Sequence, residues 1–100
     1  MEEDGSAASK QGRTRRHKIE IYYDILFSVQ REEKNEGAAK PTRIHHLSNM
    51  SYDKFLRYLD ELASKNMIVK GDTLSLTKRG HEFLNEYSKI KNLHKRLGLE

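Results

Sequence analysis

The chain has 100 residues, of which 34% are charged and 35% apolar, and its mean hydropathy of -0.91 leaves apolar side chains for one small core and not for two. It has no cysteine, which excludes disulfide staples and Cys-based zinc sites, and no run approaches the roughly 18 apolar residues of a membrane span. The net charge of +4 is uneven: Glu2, Glu3 and Asp4 precede Arg13, Arg15, Arg16 and Lys18, so residues 13–100 carry 18 basic and 12 acidic side chains, an excess that favours polyanions without naming one.

Residues 1–12 are Gly, Ser, Ala and charge without periodicity and are expected to form a disordered leader, with one domain over 13–98. From His17 to about Arg31, Ile19, Tyr22, Tyr23, Leu26 and Phe27 recur at helical spacing, with Ile25 and Val29 widening the stripe and Glu20, Asp24, Ser28 and Arg31 opposite. Glu32 to Lys40 is charged, contains Gly37 and ends before the only proline, so it reads as a flexible connection. Thr42 is placed to cap a short helix from Arg43 to about Ser48 that buries Ile44 and Leu47, and Ser48-Asn49-Met50 then turns the chain.

Ser51 caps a third helix, about Tyr52 to Lys65, and Asp53 suits its positive end. At 100° per residue, Tyr52, Phe55, Leu56, Leu59, Leu62 and Ala63 share the expected core face, while Ser51, Lys54, Arg57, Tyr58, Glu61 and Lys65 share the other. Met67–Lys70 and Thr73–Leu76 flank Gly71-Asp72, a two-residue turn between β-prone runs, and predict a hairpin. Thr77 caps a last helix, about 77–97, with Phe83, Tyr87, Ile90, Leu93 and Leu97 in a seam at four- and three-residue spacing. Helix, turn, amphipathic helix, hairpin and helix in this order predict an α+β, mainly α, winged helix-turn-helix with a two-stranded wing and a long C-terminal helix.

In that arrangement the third helix (51–65) enters the major groove of double-stranded DNA, where Arg57 and Lys54 can donate to guanine O6 and N7 and Ser51 and Tyr58 reach bases or phosphates. The bland reading is a solvated face that carries ordinary Lys and Arg, and Asp53, Asp60 and Glu61 would repel phosphates at the groove edge. Arg43, His45 and His46 on the short helix, and Lys70, Lys78 and Arg79 around the wing near 70–73, are phosphate-contact candidates. The Arg13 to Lys18 cluster is either a basic arm or a solubilising start to the first helix. Adjacent His45 and His46 project about 100° apart, unlike a shared ligand pair, so no metal site is expected. No nucleophile motif, phosphate loop or buried acid pair appears, so neither catalysis nor a cofactor is expected. The seam at Tyr87, Ile90, Leu93 and Leu97 extends beyond what closes a core and favours a homodimer through the C-terminal helix, Tyr87 being shared with the core. Lacking an apolar signal-peptide core, the chain is expected to be cytoplasmic, and nucleoid-associated if it binds DNA. Leu99-Glu100 has the form of a cloning scar.

As a set, Pro41-Thr42-Arg43-Ile44, Asn49-Met50-Ser51-Tyr52, Tyr58-Leu59 and Leu76-Thr77-Lys78-Arg79-Gly80 resemble a family of small archaeal winged-helix DNA-binding proteins. That family comprises predicted transcriptional regulators and abundant ten-kilodalton chromatin proteins, and the likeness runs from about Arg16 to Tyr87. The resemblance implies a homodimer held by an antiparallel coiled coil of the last helices, each dimer presenting two DNA-binding units. A regulator and an architectural chromatin protein remain open alternatives. So does a protein-interaction module, because winged helices also serve as scaffolds without nucleic-acid contact.

Overall fold

Lys18–Glu36 forms the first helix, α1, in the computed structural model, which describes residues 17–99. The expected leader and Arg13, Arg15 and Arg16 lie outside the described residues. The His17 amide donates to Glu20 Oε1 at 3.3 Å at the start of α1, and Gly37, at φ 83°, closes its end with an N–H to the Glu33 carbonyl at 3.0 Å. The helix therefore runs five residues beyond the expected Arg31 and absorbs most of the supposed flexible connection. Its charged last turns contain good helix formers and no breaker before Gly37, and Glu32 is buried with an ion-pair partner, Arg43 Nε at 3.4 Å. The remaining link is held as well: Ala39 forms an isolated antiparallel bridge with Leu74, whose N–H donates to the Ala39 carbonyl at 2.7 Å.

Helix α2 spans Pro41–Ser48, with Pro41 at its first position and Lys40 as N-cap, so Thr42 lies inside the helix instead of capping it. Proline suits that place because its missing N–H would have no partner in the first turn. Ile44 is buried as expected, whereas Leu47 is half-buried. Asn49 takes the left-handed conformation, φ 56°, which turns the chain into α3, Tyr52–Ser64. Ser51 caps α3 as expected, accepting from the Lys54 amide at 3.3 Å.

Strands β1 (Ile68–Lys70) and β2 (Leu74–Leu76) pair antiparallel in the register Ile68–Leu76, Val69–Ser75 and Lys70–Leu74, joined by a three-residue exposed loop, Gly71 to Thr73, one residue longer than expected. Thr77 then caps α4, Lys78–Arg96, through a 3.0 Å bond from the Gly80 amide, while its hydroxyl donates to the Asn66 carbonyl at 2.6 Å. One side chain thus starts the last helix and ties it to the end of α3.

The core gathers Tyr22, Ile25, Leu26 and Val29 of α1, Ile44 of α2, Phe55, Leu59 and Leu62 of α3, Ile68 and Leu74 of the hairpin, and Leu84 of α4 around one centre. The α1 stripe is rotated from the expected one: Ile25 and Val29 sit at its middle, and Ile19 and Phe27 at its exposed margins. The α3 face is rotated too. Tyr52 is 58% exposed and Leu56 39%, while Tyr58, expected outside, is half-buried with its ring edge-on to Tyr22 at 6.1 Å. In α4, Leu84 lies outside the expected seam and yet is buried, as is Gly80. Phe83 and Tyr87 stack at 5.7 Å, and Tyr87 meets Tyr23 at 5.2 Å, so both belong to an aromatic cluster that seats α4 on α1. Burial, with Glu20 and Asp24 nearby, pushes the Tyr87 hydroxyl pKa up.

Candidate nucleic-acid interface

The outward ridge of α3 is built by the rotation just described. With Phe55, Leu59 and Leu62 turned inward, the helical repeat points Asp53, Arg57, Asp60 and Ser64 directly away from the core, flanked by Lys54 and Glu61 on one side and Tyr52 and Leu56 on the other. Lys54 and Arg57 are exposed and make no ion pair closer than 4 Å among the described residues. Both sit in the N-terminal half of α3. Asp60, Glu61 and Ser64 make the C-terminal half anionic and polar.

The two acids of that half are engaged. Asp60 pairs with Lys70 of β1, tying the wing to α3. Glu61 accepts a hydrogen bond from the Tyr22 hydroxyl and an ion pair from Lys18 Nζ at 3.4 Å. The Tyr22 bond, with Lys18 and Arg57 adding positive charge, holds the Glu61 carboxyl below the usual carboxylate range. Burial first and Glu61 second push the Tyr22 hydroxyl pKa up to about 12. A depressed carboxylate pKa gives stability that is present above the unfolded-state pKa and is lost as pH falls through the folded value. A raised tyrosine pKa gives stability present below pH ~10 and lost as pH rises through about 12. Tyr22→Phe is therefore expected to return the Glu61 carboxyl toward its ordinary pKa and to shrink the acid-side loss of stability. Carbon NMR titration of the Glu side chains checks this; an unmoved Glu61 would show that the tyrosine bond does not set its acidity.

The other sequence candidates divide. Ser51, exposed, spends its oxygen as a cap. Tyr58 faces α1 and is removed from the outer ridge, since its ring completes the contact with Tyr22. His45 is also turned inward: its ring lies 5.2 Å from Phe55 and 5.3 Å from Tyr52, and Nε2–H donates to the Met50 carbonyl at 2.8 Å, stapling the turn between α2 and α3. Arg43 is half-committed to Glu32, whose buried carboxylate needs a cation. His46 is exposed beside it. Lys70 is exposed but held by Asp60. Lys78 and Arg79 are exposed in the first turn of α4, where no acidic residue stands. A cation there opposes the helix dipole, and a bound anion would relieve it.

Sequence reasoning placed Tyr22 only in a core stripe and missed its bond to Glu61, 39 residues away. Nothing local in the sequence signals that pairing. Lys18 was grouped with the arginines before it, without the position beside α3 that the fold gives it.

The family model for winged helix-turn-helix matches residues 15–95, four-fifths of the chain and all six elements. The chain belongs to the winged helix-turn-helix family. Membership points to DNA binding and to a partner of double-stranded DNA, in a family whose members are typically not enzymes. No curated protein matches the chain. Among the described residues no helix is long and apolar enough to cross a membrane.

Proposed function

We propose that the protein is a double-stranded DNA-binding transcriptional regulator that inserts the N-terminal half of α3 into the major groove and rests its wing on the backbone. The observation that carries this reading is the set of exposed cations that have no ion-pair partner among the described residues, Lys54 and Arg57 on the outward ridge of α3 and Lys78 and Arg79 at the positive end of α4, on the two elements that bracket the hairpin. Arg57 is the base-reading candidate, since a guanidinium can donate twice to a guanine edge. Lys54 supports it, while His46, Lys70, Lys78 and Arg79 serve phosphates.

Duplex binding by fluorescence anisotropy across a salt series tests this. Arg57→Ala should cost about 1–3 kcal/mol at a preferred site and relax base preference, whereas Lys70→Ala should weaken all sequences alike and lower the salt slope by about 1. No binding by the parent protein at low salt would sink the reading. Equal affinity of all duplexes, untouched by Arg57→Ala, would instead favour an architectural chromatin role.

We also propose a homodimer through α4. Ile90, Leu93 and Leu97 are 48%, 43% and 61% exposed, at the spacing of a seam, beyond the aromatic cluster at Tyr87. Burying one leucine is worth about 1.5–3 kcal/mol, so Leu93→Asp should weaken self-association by at least about ten-fold in sedimentation equilibrium. A parent that sediments as a monomer throughout would end the proposal. A protein-interaction module is the second reading, favoured by the exposed apolar side chains Tyr52, Leu56 and Val69 beside Asp53 and Asp60. DNA-free protein that neither binds duplexes nor changes with salt would favour it.

A further inference from the structure

Tyr52 and Leu56 put apolar surface on the same exposed end of α3 as Lys54 and Arg57. Leu56 is 39% exposed, one residue before Arg57 and one turn after Tyr52, whose ring stands edge-on to His45 at 5.3 Å. The two flanks of the outward ridge differ. One carries Lys54, whereas the Leu56 flank has no cation of α3, and Lys70, which reaches α3 from the wing, is matched by Asp60. Asp53, on the ridge one turn before Arg57, is exposed, and its carboxylate has no hydrogen bond or ion pair among the described residues.

Resting on the DNA reading above, we infer that Leu56 determines sequence specificity by packing on the C5-methyl group of a thymine in, or next to, the base pair that Arg57 contacts. A helix with its side chains is about 10–12 Å across and fills a groove roughly 12 Å wide, so both flanks of the ridge meet the duplex. Phosphate does not suit the Leu56 flank, which would bring an alkyl group and the unmatched Asp53 carboxylate toward anionic oxygens. Base edges do suit it. The thymine methyl is the apolar group that the major groove displays, and the amino groups of cytosine and adenine are its donors for a carboxylate. Leu56 precedes Arg57 by about 100° around the helix and about 1.5 Å along it, which keeps the two contacts within adjacent base steps. A contact of this kind carries base preference and no charge, unlike the phosphate contacts of the lysines.

The test uses the full chain and a duplex selected from a randomised pool for binding to the parent protein, remade with deoxyuridine at each thymine in turn. Deoxyuridine pairs as thymine does and lacks only the methyl group. At one thymine beside the guanine read by Arg57, the parent should bind the deoxyuridine duplex about four-fold more weakly, the equivalent of ~0.8 kcal/mol for one buried carbon. The ratio should hold between about 50 and 200 mM salt, because no phosphate contact is lost. Leu56→Ala should bind both duplexes equally, with the parent's salt slope and circular dichroism, and Leu56→Met, which keeps apolar volume, should retain most of the ratio. A ratio that survives in Leu56→Ala sets the methyl against another residue and overturns the inference. So does a parent indifferent to deoxyuridine at every thymine, or a pool that yields no preferred duplex with a thymine beside that guanine. If Arg57→Ala still weakens binding in those cases, only the role of Leu56 fails; a parent that binds no duplex removes both readings and leaves Tyr52 and Leu56 to a protein partner.

Discussion

Phe55→Ala is expected to lower the unfolding free energy by about 3–5 kcal/mol, the range for truncating a buried aromatic ring. Phe55 is fully buried at the centre of the inward face of α3, in the cluster that joins α1, α2 and the hairpin, and its ring packs against His45. Domains of this size hold roughly 0.05–0.15 kcal/mol per residue, so the loss is a large part of the total. Urea unfolding followed by circular dichroism should show the midpoint falling by about a fifth or more with the slope unchanged. DNA affinity should fall with it, because α3 would no longer be seated when folded and unfolded chains coexist. A loss below about 1 kcal/mol would mean that the site collapses around the cavity and that Phe55 does not clamp α3.

Gly80→Ala carries the second large effect, and its sign runs against local propensity. Gly80 lies in the first turn of α4, where alanine would ordinarily gain up to about 1 kcal/mol over glycine. Here a Cβ would fall inside contact distance of the Met67 carbonyl oxygen, 3.2 Å from its carbon and 3.4 Å from Leu76 Cδ2. That carbonyl accepts from the Thr77 amide at 3.1 Å, and the Gly80 amide bonds the Thr77 hydroxyl, so the obstruction is backbone held on both sides. The net result should be a destabilisation of about 1–3 kcal/mol, visible as a lower melting temperature, with the start of α4 pushed off the wing. Gly71→Ala is the control: the nearest atom to its Cβ, the Thr73 carbonyl oxygen, is at an ordinary 3.7 Å. If Gly80→Ala melts like Gly71→Ala, the close approach at Met67 is not a constraint on the fold.

Most of the architecture was legible because punctuation in this sequence is strong. Ser51 and Thr77 are caps in the structure as in the sequence, Gly71-Asp72 lies in the hairpin loop, and Phe55, Leu59 and Leu62 are buried. Two things were not legible. A run of Glu, Lys and Asn after Arg31 reads as loop until Arg43, eleven residues on, is seen to neutralise a buried Glu32. Helical periodicity also tells which residues share a face but leaves its centre free by a residue or two. Tyr52 and Leu56 thus exchanged places with Tyr58 and Glu61, which turn toward Tyr22 on α1. The same ambiguity moved the candidate contacts. Lys54 and Arg57 point outward under either choice, whereas Tyr58 and His45 depend on which neighbour each ring finds. Histidine and tyrosine carry both an apolar body and a polar tip, so composition alone leaves open which end decides.

The ties between Lys70 and Asp60 and between Ala39 and Leu74 have a mechanical consequence. One fastens the hairpin to α3 and the other fastens it to the link between α1 and α2, so the hairpin is a strut braced on both strands beside its loop, where Lys70 and Leu74 pair. A strut of this kind gives up little motional freedom when a polyanion docks. Encounter then resembles two shaped solids meeting, in which attraction is spent on contact and hardly at all on arranging the contacting parts.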